Sequence, residues 1–280
     1  MLDLLDYSFM RMALGAAFVT GLTAPAIGTF LVQRRLALLG DGIGHVALTG
    51  VALGLLTGTA PLVTAVAAAT LGAVAIELMR TYARTSGDVA LAMLFYGGIA
   101  AGVMLINLAG DSAATLNSYL FGSIVTVTPA DLTLITVLGG LVLAVTMLAA
   151  PQLFAVCQDE EHARVSGVPV RLYGILIAVL AAVTITVAMR TVGLLLVSAL
   201  MVVPVAAAQQ VARSFRGTHL LAMAIGLLAA LGGVVASFEI DTQPGPTIVL
   251  AALACFALLA AGRGLGVLLA RQRRRRLEST

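Results

Sequence analysis

The sequence predicts an all-α fold, a polytopic transmembrane helical bundle of about eight to nine membrane helices. Three observations carry that expectation. Of the 280 residues, 60% are hydrophobic and 10% are charged, whereas soluble domains run at about 45–50% apolar and about 25% charged. Mean hydropathy is +1.07, so the charges are too few to cover the apolar surface in water. The apolar residues also fall in runs of about 20, the length at which a helix crosses the hydrocarbon core.

Taken in order, the runs lie near 8–32, 44–60, 61–79, 88–109, 130–150, 171–190, 192–211, 218–238 and 246–266. The first is long and lacks a basic leader and a small-residue cleavage site, so no cleaved signal peptide is expected. Thr59-Ala60-Pro61 separates the second and third runs and suits a helical hairpin. The stretch 112–128 is too short and too polar to span, which makes it an interfacial or re-entrant segment covered by protein. Gly50, Gly54 and Gly58, and again Gly98 and Gly102, stand four apart, a spacing that lets helices approach closely in lipid; a tight bundle is the expectation, and a dimer contact the alternative. Cys157 and Cys255 have no metal-ligand spacing and form no disulfide framework.

Charge sets orientation and excludes functions. Alternating loops place Arg34, Arg35, Arg80, Arg84, Arg164, Arg171, Arg213, Arg216 and the tail Arg271-Gln272-Arg273-Arg274-Arg275-Arg276 on one side, with Arg11 and Arg190 at the other. The arginine-rich side is then cytoplasmic and the tail is a lipid-facing flank rather than a nucleic-acid contact. All 16 basic residues are Arg. Without Lys the chain holds neither a phosphate-cradling P-loop nor a Schiff-base amine, so any ATPase is another chain.

Charges inside a membrane are expensive and need a reason. Asp41 and His45 stand i and i+4 at a helix start, which projects carboxylate and imidazole from one face. One oxygen and one nitrogen suit Mn²⁺, Zn²⁺ or Fe²⁺; the pair equally suits a helix cap beside an internally bonded histidine. Glu239 and Asp241 precede the Pro244-Gly245-Pro246 turn at the outer mouth, where a carboxylate could concentrate cations or merely sit in a solvated loop. Asp111 reads as solvated loop. The charged loop 158–169 has a short helix from Asp159 to Ala163, with acids in its first turn, and is either a plain connection or a docking knob. His162 reads as an exposed loop residue and His219 as interfacial.

Several of these segments together resemble the membrane permeases of bacterial zinc, manganese and iron ABC importers. They are Gln33 to Gly54, which contains Asp41 and His45; Asp159 to Gly167; Val192 to Pro204; and Ser237 to Leu250, which contains Asp241, Gly245 and Pro246. They occur in the family's order and cover nearly the whole chain. The resemblance implies a single transmembrane permease domain over 1–280, with 159–167 as a cytoplasmic coupling segment and 271–280 as a basic cytoplasmic tail. It implies a homodimer in the bacterial inner membrane, bound to cytoplasmic ATPase subunits and served by an extracytoplasmic metal-binding protein. It makes Asp41, His45 and Asp241 metal-contacting positions and Asp159, Glu160, Glu161, Ala163, Arg164 and Gly167 contacts to the ATPase. No permanently bound cofactor is implied, only the transported metal. Gly44 departs from a frequent Ser and Thr49 from a frequent Pro, which leaves the ligands in place and the choice of metal open. The alternative is a gradient-driven carrier, which usually holds several intramembrane acids and bases. An intramembrane enzyme is disfavoured, because neither HExxH nor GxSxG occurs.

Overall fold

In the computed structural model, residues 6–82, 87–110, 113–123 and 125–278 are described. Arg84 and Asp111 lie outside them, as do the side chains of the tail. The helices are α1 (Ser8–Gln33), α2 (Leu39–Thr57), α3 (Pro61–Tyr82), α4 (Gly87–Leu108), α5 (Ala113–Phe121), α6 (Pro129–Leu148), α7 (Ala150–Gln158), α8 (Glu160–Val165), α9 (Val170–Ala188), α10 (Leu194–Gln209), α11 (Phe215–Glu239) and α12 (Pro244–Glu278). The described residues contain no strand. Eight helices are long and apolar enough to cross a membrane, and α10 is a shorter apolar helix. These nine correspond to the nine runs in the sequence.

Helix α1 packs on α6, α9, α10 and α11, and α2 packs on α3, α4, α9 and α10. Small residues set these crossings. A Cβ on Gly50 would stand 2.7 Å from the Ala65 backbone of α3, and one on Gly98 of α4 would stand 2.7 Å from the His45 carbonyl carbon. Gly50, Gly54, Gly98 and Gly102 therefore serve packing within the chain. Gly58 does something else: at φ +67° it ends α2, with Thr59 N–H bonded to the Gly54 carbonyl at 2.9 Å in the left-handed cap geometry that glycine favours. Helix α2 also starts five residues earlier than the apolar run suggests. Gly40 and Gly42 lie within the helix and face Ser198 and Leu91.

The turn between α9 and α10 lies deep in the bundle. Its Thr191 hydroxyl meets that of Thr20 at 3.4 Å, and Thr20 lies twelve residues beyond Ser8, about 18 Å along α1. Helix α10 therefore begins near mid-depth. The 113–123 segment reaches down to meet it. Gly122 (φ +77°) abuts the Thr191 carbonyl, Gly193 (φ +84°) abuts Phe121, and Gly245 at the start of α12 abuts the Val192 carbonyl. No side chain fits at this three-way junction. Arg190 holds the segment laterally: it pairs with Asp131 at 2.6 Å, donates to the Thr126 carbonyl at 3.2 Å and lies 5.3 Å from the Tyr119 ring centroid. Among its described residues, the stretch is buried at Tyr119, Gly122 and Val127 and exposed at Asn117, Val125, Thr126 and Thr128, so protein covers it in part, at the glycine junction.

Candidate functional site

Asp41 lies in the first turn of α2 and His45 one turn further on, where the imidazole is 5% exposed. Neither acts as the structural alternative would require. The N-cap of α2 is Leu38, with no side-chain cap bond. The Asp41 Oδ1 atom instead accepts a hydrogen bond from the Ser198 hydroxyl of α10. His45 Nδ1 is buried without a hydrogen-bond partner, and Phe95 of α4 meets the ring edge-on at 4.3 Å between centroids. The Asp41 carboxylate is near enough to interact electrostatically with His45. The half-buried carboxylate and the unpartnered imidazole nitrogen, on one helix face, can take a divalent cation. Among the described residues, no three His, Cys, Asp or Glu side chains gather closely enough to hold one, so a coordination sphere on Asp41 and His45 would be completed by backbone oxygens, hydroxyls or water.

Asp241 is placed elsewhere. It follows α11 at φ +50°, exposed, on the rim of a cavity of about 690 Å³ lined by Phe9, Ser123, Ser237, Gln243 and Pro246 among others. Gly122 lies both on this cavity and in the glycine junction. The cavity therefore reaches the α9–α10 turn, whereas Asp41 meets α10 further along, at Ser198. Glu239 is exposed at the end of α11 and does not line the cavity.

The charged loop forms α8. Asp159 caps it, accepting from the Glu161 and His162 amides at 3.0 Å each. Gly167 at φ +82° closes it, with Val168 N–H bonded to the Ala163 carbonyl at 3.0 Å. The predicted contact residues divide. Ala163 is 1% exposed and packs with Val156 and Val170, so it anchors α8 rather than facing outward. Glu160 pairs with Arg34 at the end of α1. Asp159, Glu161, Arg164 and Gly167 are exposed, along with His162 and Val165; Val165, at 89%, was not singled out from sequence.

Three further residues were missed. Glu77 of α3 is buried, lies 3.8 Å from Arg34 and bonds Arg80 at 2.7 Å. Asp41 and His45 are therefore not the only ionisable groups inside membrane helices, although Glu77 is ion-paired. An i,i+3 Glu77–Arg80 pair in an apolar run was the available signal. Ser198 and Phe95 carried no signal of their own; only the packing of α10 and α4 on α2 reveals them. His219 does lie near the arginine-rich end, but its ring is packed with Phe30 and Phe215, and its Nδ1 is buried without a partner.

A bundle of apolar helices with an acid–imidazole pair on α2, a cavity beside Asp241 and a charged helix at the arginine-rich end fits a membrane transport component. Residues 6–262 match the ABC 3 transport family, and the chain belongs to that family. It is 32% identical over 256 residues to the manganese transport system membrane protein MntC of Halalkalibacterium halodurans, covering 91% of this chain and 88% of that one. It is 32% identical over 246 residues to the chelated iron transport system membrane protein YfeD of Yersinia pestis, covering 87% and 82%. PsaBC from Streptococcus pneumoniae, solved in complex with Fab, matches with a TM-score of 0.84 and 30% identity over 91% of this chain and 92% of that one.

Proposed function

We propose that this chain is the membrane-spanning permease subunit of an ATP-driven importer of a divalent transition metal ion, manganese, zinc or iron. The observation that carries the reading is the Asp41–His45 pair, one helical turn apart, with Asp41 half-buried and the buried imidazole holding an unpartnered nitrogen, in a chain whose relatives are named for manganese and chelated iron transport. Asp41 and His45 contact the ion within the membrane, and Asp241 attracts it at the outer cavity. Two strong ligands per chain are enough to accept an ion and few enough to release it.

The chain acts as a pair of copies in the bacterial inner membrane. Its C-terminus is cytoplasmic, by the arginine asymmetry, and an extracytoplasmic metal-binding protein delivers the ion. ATP hydrolysis belongs to separate subunits, since a chain without Lys has no P-loop. Those subunits dock on α8 through Glu161, Arg164 and Val165, and their closure drives the switch between outward- and inward-facing packings. A gradient-driven carrier would need further titratable sites, and Glu77 is already committed to Arg34 and Arg80.

The test is elemental analysis of metal-starved cells carrying the intact gene, a deletion, Asp41→Ala or His45→Ala. Loss of one divalent metal in the last three names the cargo and places the pair on its route. Unchanged content in both point variants removes the pair from the pathway.

A further inference from the structure

Helix α10 runs Leu-Leu-Leu-Val-Ser-Ala-Leu-Met-Val-Val-Pro-Val-Ala-Ala-Ala, and Ser198 is the one hydroxyl in that run. A serine or threonine in an apolar helix ordinarily turns its hydroxyl back to a carbonyl three or four residues earlier. Thr23, Thr29, Thr184, Thr186 and Ser237 all do so here, at 2.7–3.0 Å. Ser198 does not. It is buried, and its hydroxyl reaches across to the Asp41 carboxylate. The approach depends on Gly40, where an added Cβ would stand 3.0 Å from Ser198 Cβ.

We infer that Ser198 is a positioning residue for the metal-contacting carboxylate of Asp41. This rests on the metal-site reading above. An ionised carboxylate only accepts hydrogen bonds and offers about four lone-pair directions. A hydroxyl fixed at Oδ1 occupies one of them, stops rotation about the Cβ–Cγ bond and leaves the other oxygen available to an ion that His45 also touches. Hydrogen bonds of this kind to metal-ligating groups are worth roughly 10–100-fold in metal affinity. Ser198 also ties the ligand to the outer closure. It lies five residues beyond Gly193, and Gly193 is wedged against Phe121 and Gly122. A shift of α10 that opens the junction carries the hydroxyl away from Asp41, so carboxylate geometry and external access change together.

The experiment is equilibrium binding of manganese, zinc and ferrous iron, each in turn, to the purified transporter with its ATPase subunits and without the external binding protein. Wild type, Ser198→Ala, Ser198→Thr and Asp41→Asn are compared, with the metal-free melting temperature measured for each. Ser198→Ala is expected to weaken binding of the cargo metal roughly 10–100-fold at an unchanged melting temperature, and Ser198→Thr, which keeps the hydroxyl, to restore most of it. Asp41→Asn is expected to bind least. Wild-type affinity in Ser198→Ala beside lost binding in Asp41→Asn overturns the role of Ser198 alone. A loss in Ser198→Ala that accompanies a lowered melting temperature and is not recovered by Ser198→Thr makes the residue structural and also overturns it. Undiminished binding in Asp41→Asn instead overturns the metal-site reading on which the inference stands.

Discussion

Arg34, the residue that ends α1, is ion-paired with Glu160 in the first turn of α8. The same guanidinium lies 3.8 Å from Glu77 of α3, and Glu77 in turn bonds Arg80 at 2.7 Å. One charge network therefore links α8 to α1 and α3, the helices that precede and follow α2 in the chain. Gln33 adds a neutral tie, donating to Gln158 at 2.9 Å.

The partners in that network are not equivalent. The Arg34 side chain is 6% exposed and that of Glu160 is 47% exposed. Removing Arg34 leaves the buried Glu77 with one fewer counter-charge, and breaking such buried pairs costs about 3–5 kcal/mol. Removing Glu160 deletes a partly exposed partner, worth about 0–1 kcal/mol. Arg34→Ala is expected to unfold the permease at markedly lower denaturant, and Glu160→Ala to leave stability nearly unchanged while lowering metal uptake per ATP hydrolysed. Unfolding curves in detergent check the first, and coupled transport and hydrolysis measurements the second. Equal stability loss in both variants would mean that α8 is held mainly by this ion pair rather than by the buried Ala163.

The glycines divide just as sharply. A Cβ on Gly245 would run into the Val192 carbonyl and stand 2.5 Å from that of Phe121, both backbone atoms that cannot turn aside. On Gly44 the nearest neighbour is a Leu194 side-chain carbon at 3.5 Å, an ordinary contact. Gly245→Ala is expected to destabilise by about 1–3 kcal/mol through overpacking. Gly44→Ala, inside α2, is expected to stabilise by about 0.5–1 kcal/mol through helix propensity. Thermal unfolding of the two variants side by side decides the matter. A tolerated Gly245→Ala would show that the junction of α5, α10 and α12 is loosely packed.

Most of the fold was legible because membrane helices announce themselves by length and hydropathy, and all nine runs have a helix. What sequence could not supply was depth. Leu194 to Gln209 looks like any other apolar run, yet the Thr191–Thr20 contact sets its start halfway down α1, and that places Ser198 beside Asp41. The proposed pair on α2 stood out in sequence because a charge in an apolar run must be explained locally. Glu77 was overlooked because its local Arg80 partner makes it look like a surface ion pair, and only the fold brings in the non-local Arg34. The burial of Ala163 was not legible for a related reason. A six-residue helix has one buried side, and composition does not say which residue faces it.

Cys157 offers a reporter for the docking of α8. Its thiol is half-buried at the end of α7 and donates to the Phe30 carbonyl, with Sγ 3.7 Å from the oxygen. Burial pushes its pKa up to about 12; Glu160 acts in the same direction and Arg34 against it. Because the thiolate is the nucleophile, about one thiol in ten thousand is reactive at pH 8, against roughly a quarter for a free cysteine. In a Cys255→Ser background, alkylation of native Cys157 is therefore expected to be about a thousandfold or more slower than that of a model thiol, and to keep rising with pH well beyond pH 9. The unfolded thiol ionises in the ordinary range while the folded one stays protonated, so this group contributes stability below that range that is lost as pH rises towards 12. Glu160→Ala removes one cause of the raised pKa and is expected to speed the reaction, and any motion that lifts α8 from Arg34 is expected to do the same. Alkylation rates measured from pH 7 to 11, with and without nucleotide-loaded ATPase, test both statements. A rate that levels off near pH 9 would show that Cys157 is open to solvent and that α8 does not cover it.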